Sequence, residues 1–143
     1  MYKIAIGCDH AAFGEKEDLK EYLNQGGYEV YDVGTDSLES VDYPIYGHKV
    51  ADLVVNKKVD KGIIICGSGI GISIAANKAK GARAALCVTS MHAEMSRKHN
   101  DANILALGSR MTKYNLMKEI IDVFLCTEFE GGRHLTRINM IEL

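Results

Sequence analysis

The chain has 143 residues, of which 47% are hydrophobic and 25% charged, with a formal net charge of -2. This length fits one domain, residues 1–143, with a core large enough to fold by itself. The near-neutral charge excludes a broad basic face, so we expect no nucleic-acid partner. The most apolar region, residues 62–76, is too short and too rich in glycine to span a bilayer, so we expect no membrane partner.

The four cysteines, at positions 8, 66, 87 and 126, have neither CxxC spacing nor a histidine at the spacing of a zinc site. We therefore expect no metal and no cofactor. Reduced thiols and an N-terminus without a long apolar stretch predict a cytoplasmic location. For Cys8, Cys87 and Cys126 the pattern predicts small, buried apolar side chains.

Short apolar runs alternate with segments of helical period, a pattern typical of a parallel sheet with helices on both faces. In chain order, the pattern predicts strand Lys3–Cys8, helix Glu15–Asn24, strand Glu29–Val33, helix Pro44–Asn56, strand Gly62–Cys66, helix Gly69–Lys80, strand Ala82–Val88, helix Met91–Lys98, strand Asn103–Leu107 and helix Lys113–Cys126. Residues 130–143 are predicted to form a loop with a short last element. The predicted fold is a three-layer α/β/α, Rossmann-like single domain with a five-stranded parallel sheet.

The third predicted strand runs directly into the glycine-rich segment CGSGIG, which begins at Cys66. Such glycines let backbone amides converge at the start of a helix, which suits an oxyanion or a phosphate. A dinucleotide fingerprint and a cysteine phosphatase loop both fail at Ile72, and the GK[ST] of a Walker loop is absent. What remains is a thiol in an amide-rich turn, an environment that favours the thiolate. We interpret Cys66 as a nucleophile or base, against the alternative of a buried apolar thiol.

Two polar residues, Asp9 and His10, follow the first predicted strand. Ligands of open parallel sheets bind at the carboxyl ends of the strands, where the strand order reverses. We expect strands one and three to flank that point, so Asp9, His10 and Cys66 form a candidate acid–base cluster. The alternatives are a loop cap for Asp9 and a solvated loop position for His10.

Further candidates lie towards the C-terminus. His99 ends the fourth predicted helix, where a simple helix cap is the alternative. Arg133 and Arg137 are four residues apart and become neighbours if this stretch is helical. Arg110 follows the fifth predicted strand. Guanidinium groups match phosphate oxygens well, and the alternative for all three arginines is a solvated surface position.

Five stretches, GCDHAAF, VDYP, DKGIIICGSGIGISIAANK, SRKHNDANILALGSR and EFEGGRHLTR, cover most of the chain. On these motifs the chain resembles the type B ribose-5-phosphate isomerases, in the family that also holds galactose-6-phosphate and allose-6-phosphate isomerases. The resemblance implies interconversion of ribose 5-phosphate and ribulose 5-phosphate through an enediolate. A hexose phosphate isomerase and a non-catalytic sugar-phosphate sensor remain alternatives, although the His99–Asn100 pair favours the pentose.

The resemblance also implies a role for each site residue. Cys66 looks like the base that moves a proton between C2 and C1, and Ser68 stands where the family commonly has a threonine. His99, helped by Asp9, looks like the group that opens the sugar ring. The implied substrate- and phosphate-binding residues are His10, Tyr43, Gly67, Gly69, Ile70, Gly71, Asn100, Arg110, Arg133 and Arg137.

Family members are dimers or tetramers with active sites at a subunit interface. The resemblance therefore implies a homodimer or homotetramer in which His99, Asn100 and Arg110 act on the Cys66 of a neighbouring subunit. A branch of the family has a glutamate base at the position of Ile72, so the thiol at position 66 places this chain with the other branch.

Overall fold

The structure, a computed structural model, describes residues 2–142 and contains the predicted alternation of strands and helices. The elements are β1 (Lys3–Cys8), α1 (Phe13–Gln25), β2 (Glu29–Gly34), α2 (Tyr43–Val55), β3 (Lys61–Cys66), α3 (Ile70–Ala76), β4 (Ala84–Leu86), α4 (Ser90–Asn100), β5 (Ile104–Gly108), α5 (Tyr114–Cys126) and α6 (Arg133–Asn139). A single 3₁₀ turn, His10–Ala12, connects β1 to α1.

The five strands form one parallel sheet in the order β2-β1-β3-β5-β4. The chain moves from β1 to β2 on one side and then crosses to β3 on the other, so the order reverses between β1 and β3. This reversal confirms the predicted switch point and creates a crevice at the carboxyl ends of these two strands.

Helices cover both faces of the sheet, which explains why the central strands are continuous apolar runs. Along β3, Ile63 and Ile65 face a core shared with α1 and α5, whereas Ile64 and Cys66 face a second core shared with α2 and α3. The three-layer fold is therefore confirmed. The side chain at position 66 is the last inward-facing position before the strand leaves the sheet.

Two elements are shorter than predicted. Helix α3 ends at Ala76 rather than at Lys80, because the Asn77 side chain turns to the sheet instead of continuing the helix. Its amide nitrogen donates to the Ala84 carbonyl at 3.0 Å, and its amide oxygen accepts from the Ala84 N–H at 2.7 Å. These two bonds hold the start of β4, which is an edge strand of only 3 residues.

The predicted last element is helix α6, and the predicted loop before it is confirmed; the final residue, Leu143, lies outside the described residues. The longest helices, α1, α2 and α5, have 13 residues each. Within residues 2–142, none of the helices combines the length and the apolarity that a membrane crossing requires.

All four cysteines are unpaired. Burial raises the pKa of the Cys8 thiol to about 12 and that of the Cys87 thiol to about 11, as expected of thiols that act as apolar side chains. The prediction of a buried thiol is wrong for Cys126, which is exposed because it ends α5 on the solvent side.

Candidate active site

The carboxyl ends of β1, β3 and β5 bring several predicted site residues to one edge of the sheet. Cys66 ends β3 directly beside Gly108 of β5. The Asp9 N–H donates to the carbonyl of Ile65 at 3.2 Å, and the Ser109 N–H donates to the carbonyl of Cys66 at 2.9 Å. Asp9, Cys66 and the segment that carries Arg110 are therefore neighbours. We call this edge, with Asp9, His10, Tyr43, residues 66–71 and Arg110, the thiol half-site.

The Cys66 side chain lies under the glycine loop and is only 5% exposed. The Gly69 N–H donates to its Sγ at 3.1 Å, and a backbone donor at this distance can stabilise negative charge on the sulfur. Gly69 has a φ of 78°, and a Cβ there would lie 2.8 Å from the Leu107 backbone, so only glycine fits. A Cβ on Gly108 would lie 2.5 Å from the Ser68 carbonyl oxygen. The two glycines thus let the loop lie against β5 and bring the amide to the sulfur.

The other loop residues surround the same point. The Ser68 hydroxyl accepts from the Ile70 N–H at 3.1 Å, so its own proton is free to be donated. The Tyr43 ring lies against Gly71, where a Cβ would be 2.5 Å from the ring. The Arg110 guanidinium lies against Gly67 of the same chain, with Nη1 at 3.1 Å from the position of a Cβ. The structure places Arg110 in its own thiol half-site rather than with His99 and Asn100.

Asp9 and His10 are both fixed by backbone donors. Asp9 is buried, and its Oδ1 accepts from the Ala11 N–H at 3.0 Å, so it caps the 3₁₀ turn as the alternative interpretation expected. The His10 Nδ1 accepts from the Val41 N–H at 3.1 Å. In the neutral imidazole this bond places the proton on Nε2, which can then donate to a substrate.

Sequence reasoning missed Lys16, a fully buried lysine on the inner face of α1. Its Nζ donates to both carboxylate oxygens of Asp32, at 2.9 and 2.8 Å, and to the Thr35 carbonyl at 2.5 Å. Burial alone would raise the pKa of Asp32, but hydrogen bonds from Lys16 and Lys20 outweigh burial and lower the pKa below its ordinary value. The Thr35 N–H in turn donates to the Cys8 carbonyl at 2.8 Å. The ion pair therefore secures the backbone next to Asp9.

The remaining predicted residues lie elsewhere. Helix α4 begins after the carboxyl end of β4 and ends before the amino end of β5, so its last turn lies at the opposite edge of the sheet. There the Arg83 Nε, just before β4, donates to the Asn100 carbonyl at 3.0 Å. A helix of 11 residues is about 16 Å long. One copy of the chain thus keeps His99 and Asn100 far from Cys66 and Asp9.

Arg133 and Arg137 lie with His99, because α6 packs on the last turn of α4. The Glu130 N–H donates to the Lys98 carbonyl at 3.1 Å, and the buried Arg97 donates from Nε to the Thr127 carbonyl at 3.0 Å. The helical spacing of the two arginines is confirmed, and both are exposed. We call this second edge the histidine half-site; its residues are His99, Asn100, Arg133, His134 and Arg137.

His134 was not singled out from the sequence, although it lies within one of the motifs. Its imidazole stacks on that of His99, with ring centroids 4.4 Å apart and planes inclined by 14°. His134 is 6% exposed, and its burial, followed by the nearby His99 and Arg133, lowers its pKa below the ordinary value. The stack depends on the packing of α6 on α4, which the sequence pattern does not indicate.

An open cavity of about 340 Å³ lies beside the histidine half-site, between Arg83, Asn100 and Glu142. None of the residues 66–71 lines it. In the described part of the chain, no three His, Cys, Asp or Glu side chains are arranged to hold a metal ion. The side chains of the two half-sites supply a thiol, a serine hydroxyl, a carboxylate, imidazoles and guanidinium groups.

Comparison with known proteins assigns the family. A family model described as ribose/galactose isomerase matches residues 4–141. Ribose-5-phosphate isomerase B of Escherichia coli is 50% identical over 141 residues, covering 99% of this chain and 95% of that protein. The solved structure of the Clostridium thermocellum ribose-5-phosphate isomerase B matches at a TM-score of 0.96 with 54% identity, covering 97% of this chain and 94% of the other. The solved structure of the Thermotoga maritima ribose 5-phosphate isomerase matches at a TM-score of 0.97 with 51% identity, covering 99% of this chain and 97% of the other. The chain belongs to the ribose/galactose isomerase family.

Proposed function

We propose that this protein interconverts ribose 5-phosphate and ribulose 5-phosphate by aldose–ketose isomerisation. The observation that carries the proposal is the Cys66 thiol under its glycine loop, next to Asp9 at the switch point, in a chain 50% identical to a ribose-5-phosphate isomerase B. Isomerisation needs a base near the carbon acid, donors for the enediolate oxygens and a grip on the remote phosphate. Each of these functions has a candidate residue here.

In this proposal, the Cys66 thiolate removes the C2 proton of the open-chain aldose and returns it to C1. The proton of the C2 hydroxyl passes to the C1 oxygen as the enediolate forms and collapses, and the Ser68 hydroxyl donates to the enediolate oxygens. The amides of Gly69 and Ile70 already bond the Cys66 sulfur and the Ser68 oxygen, so they act chiefly by holding these two side chains. The Gly67 amide and the Gly71 amide, which is in the first turn of α3 where amides lack partners in the helix, are better candidates for binding substrate oxygens.

We infer that the histidine half-site of a second copy completes each site, giving a homodimer or a homotetramer. The separation of His99 from Cys66 in one chain supports this, since a pentose phosphate cannot span the sheet. Exposed apolar side chains support it too, because Ile70 and Ile74 on α3 are 52% and 57% exposed and Met91 at the start of α4 is 69% exposed. Such side chains next to a site mark a surface for a partner subunit.

When two copies of the chain associate in this way, His99 of one copy would face Asp9 of the other across the sugar ring. His99 would then move the proton between the ring oxygen and the anomeric hydroxyl that ring opening requires, while the Asp9 carboxylate holds the hydroxyl. Phosphate would lie between His10 and Arg110 on one side and Arg133 and Arg137 on the other. The location is proposed to be the cytosol, in keeping with four unpaired cysteines.

Replacing Arg137 with alanine is expected to weaken phosphate binding. A lost charge-assisted bond should raise KM for ribose 5-phosphate roughly tenfold to a hundredfold, with a smaller change in kcat. Steady-state kinetics provides the measurement, with Lys118→Ala on α5 as a control that should leave KM unchanged. A normal KM in Arg137→Ala would remove Arg137 from the phosphate site.

Steady-state rates with ribose 5-phosphate, allose 6-phosphate and galactose 6-phosphate test the proposed substrate. We expect kcat/KM to be highest for ribose 5-phosphate by roughly tenfold or more, because an additional carbon changes the distance between the reacting carbons and the phosphate. A preference for either hexose phosphate would favour the rival isomerase. Binding of these sugars without turnover would instead indicate a sensor.

A further inference from the structure

The His99–His134 stack joins the last turn of α4 to α6, the helix that carries the two exposed arginines. Two glycines with positive φ, Gly131 at 70° and Gly132 at 58°, let the chain turn sharply into α6. The turn places His134 in the first turn of α6 with its imidazole buried against His99. His99 itself is 41% exposed, so apart from this stack its free face points to solvent.

We propose that His134 is a positioning residue, which holds the His99 imidazole by face-to-face stacking in the orientation that opens the sugar ring. This inference rests on the proposed role of His99 and adds a residue that acts through it. A side chain at a helix end otherwise samples several rotamers. The reaction rate falls steeply when a catalytic group is displaced by about 1 Å. The stack with a buried partner leaves His99 with one orientation.

The groups around the stack favour a neutral His134. Glu130 Oε1 lies 3.9 Å from His99 Nε2, and Lys98 precedes His99 on α4. Arg133 and Arg137 act on His134 to lower its pKa, and Glu130 acts against them. Two imidazolium rings at this separation would repel each other. Burial, followed by the neighbouring His99 and Arg133, lowers the pKa of His134, which favours a neutral ring beside His99.

A role confined to ring opening has a distinctive kinetic signature. Ribose 5-phosphate is largely a closed furanose in solution, so its conversion requires ring opening. Ribulose 5-phosphate has no furanose form, because the hydroxyl that would close the ring carries the phosphate. Replacing His134 should therefore slow the conversion of ribose 5-phosphate but leave hydrogen exchange of ribulose 5-phosphate nearly unchanged. A general structural defect would slow both.

The test compares His134→Ala with His134→Phe, which keeps an aromatic face for the stack. In His134→Ala we expect kcat/KM for ribose 5-phosphate to fall roughly tenfold to a hundredfold. Exchange of the C1 hydrogen of ribulose 5-phosphate with D₂O, followed by proton NMR, should stay within about threefold of wild type, because the thiol half-site is untouched. His134→Phe should recover most of the lost turnover.

Thermal melting and the oligomeric state are measured for both variants to confirm that they fold. Equal loss for both substrates, no loss in His134→Ala, or no recovery in His134→Phe would each overturn the inference. The variant His99→Ala distinguishes a wrong role for His134 from a wrong proposed role for His99. If His99→Ala shows the selective loss and His134→Ala does not, only the role of His134 is wrong; if His99→Ala shows none, the proposed role of His99 itself is wrong.

Discussion

Replacing Cys66 with alanine is expected to lower turnover of ribose 5-phosphate by roughly a hundredfold to ten-thousandfold, the usual contribution of a positioned base. Alanine keeps the small apolar volume that the second core requires and removes only the sulfur that Gly69 contacts. The fold and the oligomer should therefore survive. The measurement is kcat/KM in both directions, together with a thermal melt of the variant.

Two other thiols provide matched controls. Cys87→Ala removes a buried sulfur outside both half-sites, and Cys126→Ala removes an exposed one. Both variants should retain near-normal turnover, whereas Cys66→Ala should not. Turnover close to wild type in Cys66→Ala would show that another group is the base.

The second large effect is expected from mixing two inactive variants. Cys66→Ala damages only the thiol half-site and His99→Ala only the histidine half-site, so a hybrid dimer retains one site with both halves intact. With random pairing in an equal mixture, half of the dimers are hybrids with one of two sites restored, so activity should return to about a quarter of wild type. Co-refolding followed by an assay with ribose 5-phosphate measures the recovery.

The control for this experiment pairs two variants of the same half-site. Cys66→Ala with Asp9→Asn should give no recovery, because every hybrid site then carries one of the two changes. Recovery in this control, or its absence in the mixture of Cys66→Ala with His99→Ala, would contradict a site shared between copies.

Most of the fold could be predicted from the sequence because the strands β1, β3 and β5 are uninterrupted apolar runs buried on both faces. The ends of strands and helices were less predictable where hydrogen bonds from a side chain, rather than from the backbone, end the element. Asn77 ends α3 early through two bonds to Ala84, a contact that no local periodicity reveals.

The thiol half-site was also predictable, since its residues directly follow strands that share an edge. For the histidine half-site, His99, Asn100, Arg133 and Arg137 were named from the sequence, but their grouping with His134 depends on how α6 packs on α4. Two buried residues were missed for the same reason. Lys16 and His134 lie in ordinary helical sequence, and only the packing of α1 on the sheet and of α6 on α4 shows what they contact.

Transfer of the C2 proton by Cys66 is tested most directly by following the substrate hydrogens in D₂O. Wild-type protein should introduce deuterium from solvent into the ketose at C1 and into the aldose at C2, and His99→Ala should still exchange the C1 hydrogen of ribulose 5-phosphate. Cys66→Ala should exchange neither hydrogen above the rate without protein. Exchange by Cys66→Ala at the wild-type rate would contradict the assignment of this thiol as the base.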